Sequence, residues 1–463
     1  MKPSWRIKLY FAYTLTGILF TFSACKKESE NSGILTEEQQ WILDSMKVYY
    51  YYANQIPTSP DVNVNGNTFF KSLLYASDRF SYMENPNEVK SEYSSFAWYG
   101  FEYALLLTDV RGWVGVVTLV APGGPSDKQG LKRGDVFTTV NGIQINASTE
   151  SSVKLVLKQG KGVQLQTVKL ENSLFKEGAV VTIAFSRFNE MPVYMTRVFN
   201  NGSKKVGYIF YNKFDGGQDY AVLDSLAKLK EEGVSELIID LRYNPGGDVS
   251  SAAKIAALLA PVSAEQVFAI YQANANGGRL VKSFLNVINE NIYLPQSFDV
   301  ISSRRLKLER VIFLTTAATA SASELLINVL KPYISVTQIG ETTIGKDMAS
   351  FAITDQRIPA IFSNVLHPLI FKLYNAKGKG DYSGGIIPDN MVEELANLPL
   401  TPLGDSKDPL ISKALMLIGN SFVAQSANRS QQVMRTIPGF SSAEQRSIGA
   451  KDMEVSKLLP IVH

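Results

Sequence analysis

Four short runs in the middle of the chain, each predicted to be a strand, constrain its fold more than any other feature. They lie at residues 206–211, 237–241, 311–315 and 334–339. The run at 237–241 is mostly apolar, which is typical of a strand that is buried on both faces. An amphipathic helix pattern, residues 220–232, separates the first two runs, and another, with Leu325, Leu326, Val329 and Leu330, separates the last two. This alternation predicts an α/β core with a largely parallel sheet, within residues 180–400.

Two smaller segments precede this core. Residues 36–94 carry a helical pattern, with Trp41 and Met46 near one face, and predict a small helical N-terminal domain. Residues 95–172 are rich in short strands and turns, and the strand at 136–140 closes on Asn141-Gly142, a strong hairpin signal. The string Gly130-Leu-Lys-Arg-Gly134-Asp135 before that strand resembles a PDZ domain, so the segment is expected to be a PDZ-like β-rich domain. Residues 401–463 are mixed and polar and give no functional interpretation.

Composition excludes several classes of function. The chain has 463 residues, of which 45% are hydrophobic and 19% charged, so it can bury a sizeable core. Lys and Arg number 46 against 43 Asp and Glu, and no basic block interleaves with aromatic residues, so no nucleic-acid partner is expected. The two histidines, His367 and His463, exclude a histidine-rich metal site and lie in no recognisable motif.

The first residues resemble a targeting segment. Lys2, Arg6 and Lys8 precede an uncharged, mostly apolar run at 9–24, which is short for a membrane span. Cys25, the single cysteine, follows this run and resembles the lipidated residue of a bacterial lipoprotein signal; the alternative is a plain secretory peptide. The expectation is a signal peptide at 1–24, a tether at 25–35 and a lipid-anchored protein of the bacterial cell envelope, periplasmic or on the cell surface.

Three motifs of the α/β segment could carry chemistry. Asp240-Leu-Arg-Tyr-Asn-Pro-Gly-Gly247 ends a buried strand, and its glycines could present N–H groups to an oxyanion, although Pro-Gly-Gly is also an ordinary turn. Thr319-Ala-Ser-Ala-Ser-Glu324 would place Ser321 at a helix N-terminus, although Ser321 and Glu324 also have the spacing of a capping box. Gly345-Lys346 could supply a general base if the lysine is buried, whereas most lysines are solvated.

Ser321 and Lys346 are separated by one predicted helix and one predicted strand. That connection could return the lysine to the sheet edge that carries the serine.

Taken in order behind a PDZ-like segment, the three motifs resemble the carboxyl-terminal processing peptidases of family S41. The resemblance runs from about Trp41 to Asp389 and includes Asp78-Arg-Phe-Ser81 and Gly385-Ile-Ile-Pro-Asp389. It implies a crotonase/ClpP-like core and a serine endopeptidase that acts on polypeptides, with no cofactor and no metal.

The resemblance also implies roles for individual residues. Ser321 would be the nucleophile, Lys346 the base, and the N–H groups of Gly246 or Gly247 and of Ala322 the oxyanion hole. Glu324 and Ser350 would be auxiliary residues, and Tyr99, Gly100 and Phe101 would bind the peptide, whose C-terminal carboxylate would lie beside Glu102.

The chain departs from the family pattern at two positions near the lysine. Asp347 stands where a glycine is common, and Ser350 stands where many members carry a glutamine that orients the lysine. These departures keep open a catalytically silent, peptide-binding lipoprotein. An acyl-CoA enzyme of crotonase type would share only the fold.

Overall fold

A computed structural model of the protein describes residues 33–87, 94–171, 174–291, 295–419 and 434–449, together with Val455. Its helices are α1 (Glu37–Tyr49), α2 (Gly66–Ser72), α3 (Ser95–Tyr99), α4 (Pro125–Lys128), α5 (Glu150–Lys158), α6 (Asp219–Glu231), α7 (Val249–Leu259), α8 (Phe284–Ile288), α9 (Phe298–Ser303), α10 (Ala322–Leu330), α11 (Pro409–Ile418) and α12 (Ser442–Gly449). Its strands are β1 (Tyr82–Glu84), β2 (Phe101–Thr108), β3 (Gly112–Val120), β4 (Val136–Val140), β5 (Ile143–Gln144), β6 (Val163–Glu171), β7 (Leu174–Ile183), β8 (Val193–Asn201), β9 (Lys204–Tyr211), β10 (Glu236–Asp240), β11 (Val267–Gln272), β12 (Arg279–Ser283), β13 (Arg310–Thr315), β14 (Ser335–Gly340), β15 (Met348–Ala349), β16 (Val365–His367), β17 (Phe371–Tyr374), β18 (Asn390–Met391), β19 (Asn397–Leu398) and β20 (Met434–Ser441). Among these residues no helix is both long and apolar enough to cross a lipid bilayer.

The core is a six-stranded sheet in the order β18-β14-β13-β10-β9-β8. All its neighbouring strands are parallel except β8 and β9, which are antiparallel. Ile239 and Phe313 face a cluster that includes helices α6, α7 and α10, whereas Ile238 and Ile312 face α11 on the other side. Because strand side chains alternate between the two faces of a sheet, both faces are covered by helices. The predicted α/β core with a largely parallel sheet is confirmed.

The N-terminal segment is helical, as predicted, and ends in a strand. Thr36 and Gln39 form a capping box at the start of α1, which explains why the helix begins there. After α2 the chain enters β1, which pairs antiparallel with β16, so Tyr82 lies opposite His367. This pairing fixes the end of the segment against the core.

The PDZ-like segment forms most of an eight-stranded sheet in the order β19-β20-β2-β3-β4-β6-β7, with β5 paired to β4. The predicted Asn141-Gly142 turn is present, and both residues have positive φ, at 48° and 78°. Strand β7 pairs with β6 along its length, so the sheet continues to Ile183, beyond the predicted end at residue 172. Few of the β7 side chains are buried, which explains why its hydrophobic pattern is weak.

The segment after residue 400 contributes to both layers. Helix α11 packs on the core sheet, and strand β20 pairs antiparallel with β2 in the PDZ-like sheet. The chain therefore crosses back to the PDZ-like domain after completing the core, which the sequence pattern does not indicate.

A buried charge network joins these layers. Arg242 is inaccessible to solvent, and its guanidinium contacts Asp240, Glu394 and Asp408 at 2.8–2.9 Å. Arg133 of the PDZ-like segment reaches the same Glu394 at 2.7 Å. The network ties the end of β10 to the start of α11 and to the PDZ-like domain.

We expect Arg242→Met to lower the free energy of unfolding by about 3–5 kcal/mol, because it leaves buried carboxylates without their cation. Arg304→Ala is the control, because Arg304 and its partner Asp224 are both about half exposed, and it should cost less than about 1 kcal/mol. Urea unfolding of both variants gives the comparison. Equal losses would show that the buried network does not hold the layers together.

Candidate active site

Three loops meet at the carboxyl edge of the core sheet. They follow β10, β13 and β14, which are neighbours in the sheet, and span residues 241–247, 316–321 and 341–346. Ala320 donates its N–H to the Asn244 carbonyl at 3.1 Å, and Ile344 donates to the Thr319 carbonyl at 3.0 Å. The loop with Ser321 therefore lies between the other two. Carboxyl ends of parallel strands are the usual place for ligand sites in such sheets.

Ser321 is held in a strained backbone conformation at the start of α10. Its φ is 62° and its ψ is −119°, and the residue is buried. Such a conformation costs on the order of 1–3 kcal/mol for a residue that is not glycine and must be held by its surroundings. The Ser321 N–H donates to Glu324 Oε2 at 2.7 Å, and the Ser321 carbonyl accepts the Leu325 N–H at 2.8 Å.

Glu324 connects the serine loop to the lysine loop. Its carboxylate accepts hydrogen bonds from the N–H groups of Ser321, Gly345 and Lys346 and from the Thr343 hydroxyl. One oxygen, Oε2, accepts both the Ser321 and the Lys346 N–H groups, at 2.7 and 2.8 Å. The two backbones are thus separated by a single shared acceptor atom. Burial raises the pKa of Glu324 to about 7, although the four hydrogen bonds act to lower it.

The Lys346 side chain is buried beneath the N-terminal segment. Its Nζ lies 5.5 Å from the centre of the Phe80 ring, and the Arg79 guanidinium carbon lies 4.8 Å from the same ring centre. Arg79 also donates to the carbonyls of Ile344 and Ser383 at 3.0 and 3.1 Å. The motif Asp78-Arg-Phe-Ser81 therefore forms a wall over the lysine, a role that local spacing could not reveal because the contacts span more than 260 residues.

The two glycines of the first loop, Gly246 and Gly247, have different surroundings. A Cβ on Gly246 would lie 2.5 Å from the Ser321 Cβ, so only glycine permits this approach. The Gly246 N–H donates to Asn244 Oδ1 at 2.8 Å, so Gly246 does not fit as the oxyanion donor and Gly247 is left of the two predicted alternatives. Within the described part of the chain, no hydrogen bond is found for the N–H groups of Gly247 and Ala322.

Asp347 and Ser350, the two departures from the family pattern, are both buried. The Asp347 carboxylate lies 3.6 Å from Lys372 Nζ, and that lysine also contacts Asp381 at 2.5 Å. Burial raises the pKa of Asp347, and Lys372 opposes the shift. Asp347 thus has a cation of its own on β17. The Ser350 carbonyl accepts the Val455 N–H at 2.9 Å, and the proposed auxiliary role of Ser350 stays a prediction.

The predicted peptide-binding residues are enclosed by the chain itself. Tyr99 and Phe101 are buried in the PDZ-like core, so their side chains cannot contact a peptide as expected. Gly100 has a φ of 73° and donates its N–H to the Phe96 carbonyl at 2.9 Å, which caps α3. Glu102 is also buried and lies 2.5 Å from Arg446 Nε. Burial raises the pKa of Glu102, and Arg446 opposes that shift.

A cavity of about 630 Å³ lies between the PDZ-like domain and the core. Tyr103, Phe440 and Arg446 line one part of it, and Lys213 and Pro245 line another. Pro245 is the residue before Gly246. The cavity therefore reaches from the PDZ-like sheet to the loop that contacts Ser321.

Three segments match known family profiles. Residues 205–392 match "Peptidase family S41", residues 37–82 match "Peptidase S41 N-terminal domain", and residues 116–165 match "PDZ domain". The first covers the three loops, and the second covers the wall over Lys346.

Relatives and a solved structure agree with these matches. The chain is 27% identical over 306 residues to the carboxyl-terminal-processing protease of a Picosynechococcus species. This alignment covers 62% of this chain and 61% of that protein. The chain is 28% identical over 243 residues to the chloroplastic carboxyl-terminal-processing peptidase 2 of Arabidopsis thaliana, covering 50% and 41%. The chain thus spans about half the length of these curated relatives. A crystal structure assigned to an S41 protease of Bacteroides fragilis superposes with a TM-score of 0.66 at 25% identity, covering 82% of this chain and 96% of that one.

We expect Glu324→Gln to lower the free energy of unfolding by about 2–5 kcal/mol, because an amide offers one acceptor oxygen and leaves buried donors unsatisfied. Glu150→Gln is the matched control, since Glu150 lies in the first turn of α5, partly exposed, and pairs with Lys154. That change should cost at most about 0.5 kcal/mol. Denaturant titration compares the two, and similar small losses would contradict the bridging role of Glu324.

Proposed function

Because the chain belongs to peptidase family S41 and carries a PDZ domain, we propose that it is a serine endopeptidase with a Ser321/Lys346 dyad. One observation carries the proposal: Glu324 Oε2 accepts the N–H groups of both Ser321 and Lys346. That shared acceptor holds the backbones of Ser321 and Lys346, which carry the hydroxyl and the amine, next to each other. The Lys346 side chain is buried, and burial favours the neutral amine over the charged ammonium. The neutral amine is the form that a general base requires.

The proposed reaction proceeds through an acyl-enzyme. Neutral Lys346 takes the proton of Ser321 Oγ, which attacks the peptide carbonyl carbon, and the carbonyl oxygen becomes an oxyanion. The N–H groups of Gly247 and Ala322 would stabilise that charge, each by about 3 kcal/mol in the transition state. The lysine ammonium then protonates the leaving amine as the C–N bond breaks. A water molecule, deprotonated by the neutral amine of Lys346, then hydrolyses the ester and restores Ser321.

The PDZ-like domain is proposed to supply the polypeptide. Such domains bind an extended segment by adding it as a strand to a sheet edge. The cavity between the domains provides a route from that edge to the loop with Gly246. The proposed substrate is therefore a polypeptide in extended conformation, and the core is proposed to be of crotonase/ClpP-like type.

We also propose that the protein is lipid-anchored in the bacterial cell envelope. The support is the sequence alone: the cationic start, the apolar run at 9–24 and the cysteine at position 25. Residues 1–32 lie outside the described residues.

Ser321→Ala should reduce cleavage of an unfolded polypeptide by about 10⁴-fold or more, because it removes the nucleophile. Binding of peptide should survive, since the PDZ-like sheet is untouched. Ser323→Ala, in the same motif, should retain cleavage. The measurement is the appearance of new N-termini by mass spectrometry. Equal turnover in wild type and Ser321→Ala would reject the dyad, and a wild type that binds peptide without cleaving it would favour the silent, peptide-binding lipoprotein.

Cys25→Ser should abolish incorporation of a fatty-acid probe into the protein expressed in bacteria, because the thiol is the proposed acceptor of the lipid. Ser23→Ala, two residues earlier, serves as the control and should retain the label. Label retained on Cys25→Ser would end the lipoprotein hypothesis.

A further inference from the structure

The edge of the PDZ-like sheet that would accept a peptide carries a strand of the same chain. Strand β20 runs antiparallel to β2, with Ser441 opposite Ala104 and Thr436 opposite Thr108. β2 begins directly after Gly100, at the loop where the resemblance places a bound carboxylate. Strand addition at this edge is the mode by which PDZ domains hold their ligands. β20 therefore occupies the ligand position.

One side chain of β20, that of Phe440, enters the groove as a ligand side chain would. The Phe440 ring lies 5.6 Å from the Tyr103 ring of β2, and Lys154 Nζ of α5 lies 4.7 Å from the centre of the Phe440 ring. Phe440 thus packs between strand β2 and helix α5, which form the two sides of the groove. A Cβ on Gly439 would lie 2.3 Å from the Trp113 ring, so β20 approaches the sheet closely.

The end of β20 satisfies the polar groups at the carboxylate loop. The Ser442 hydroxyl accepts the Tyr103 N–H at 2.8 Å and donates to Glu102. Arg446 pairs with the same Glu102. A free carboxylate at this place would meet the acidic Glu102, whereas the chain continues here into α12. The groove is thus built for an internal segment.

The occupying segment also contacts the candidate active site. Arg446 donates to the Tyr243 carbonyl at 2.9 Å, and the Ser447 hydroxyl donates to the Ala318 carbonyl. Tyr243 and Ala318 belong to the loops that carry Gly246 and Ser321. Removal of the segment would therefore leave acceptors unpaired in both loops.

We propose that residues 434–449 are an internal ligand of the PDZ-like groove that a substrate must displace, and that the groove selects internal segments with an aromatic residue at the position of Phe440. The link to cleavage rests on the proposed function, whereas the occupancy itself does not.

The binding test uses the full chain with Ser321→Ala and a fluorescein-labelled peptide of residues 434–449. Phe440→Asp should vacate the groove and bind the probe at least about tenfold more tightly than the parent, a change of about 1.4 kcal/mol. Ile437→Asp is the control, because Ile437 lies on the same strand with 65% of its surface exposed, and should bind as weakly as the parent. Equal affinities for the two variants, by fluorescence anisotropy, would overturn the proposal.

Two further probes test the selected ligand on the Phe440→Asp chain. A peptide with aspartate in place of its phenylalanine should not bind. A peptide that ends at Ser441 should bind equally as free acid and as amide. Retained binding of the first, or a preference for the free acid of the second, would overturn the stated selectivity.

An engineered disulfide between β2 and β20, which can be reduced again, tests displacement even if Phe440→Asp does not fold. Leu107 and Ile437 are directly opposite, and in a Cys25→Ser background Leu107→Cys with Ile437→Cys should form a disulfide across the pair. Oxidation should slow cleavage of an unfolded polypeptide at least about tenfold, and dithiothreitol should restore it. Equal cleavage by the oxidised and reduced forms would overturn displacement. If even the wild type does not cleave, the dyad proposal fails while the binding test still decides occupancy.

Discussion

The shared hydrogen bonds of Glu324 are the constraint on which the candidate active site depends. Ser321 holds a backbone conformation that the chain would not adopt alone, and its N–H is fixed by the carboxylate that also fixes Gly345 and Lys346. The site is therefore assembled by a residue that need not touch the substrate. Because the Glu324 carboxylate is buried, the loss of any one of its hydrogen-bond donors would leave it poorly solvated. The state in which all donors are in place is therefore favoured over partly assembled ones.

Much of the fold follows from the sequence, because short strands that alternate with amphipathic helices leave a strong pattern. Four of the six core strands and the two predicted helices, α6 and α10, lie where that pattern predicts, within a few residues at their ends. The candidate site is only partly predictable. The spacing of Ser321 and Glu324 indicates a capping box, but not that the same carboxylate binds the lysine loop. The sequence leaves Gly246 and Gly247 as alternative oxyanion donors, and only the position of the Asn244 side chain reveals that the Gly246 N–H is engaged. β20 contains Pro438 and Gly439, which mask its strand pattern.

The two domains are joined at the loop that carries the glycine pair. Arg133 of the PDZ-like domain donates to the Thr118 carbonyl, to the Tyr243 hydroxyl and to Glu394, and Arg242 meets Glu394 from the core. Arg242 and Tyr243 both lie in the loop that leads to Gly246. The orientation of the PDZ-like domain and the position of the glycine loop are therefore set by one buried network. Breaking it would expose several uncompensated charges at once, so rigid attachment is favoured at this point.

The internal strand adds a competitive element to this rigid frame. A ligand tethered in the same chain is present at an effective concentration in about the millimolar range. A substrate at about micromolar concentration therefore competes at a disadvantage of about a thousandfold unless it binds the groove more tightly than β20 does. β20 contains Pro438, which lacks an N–H for the ladder, and Gly439, which adds no side chain to the groove. A substrate strand with another residue in place of Pro438 would offer a backbone N–H that β20 lacks, whereas the position opposite Trp113 requires glycine. The sequence of the internal ligand thus makes it weak enough to be replaced by a well-matched polypeptide.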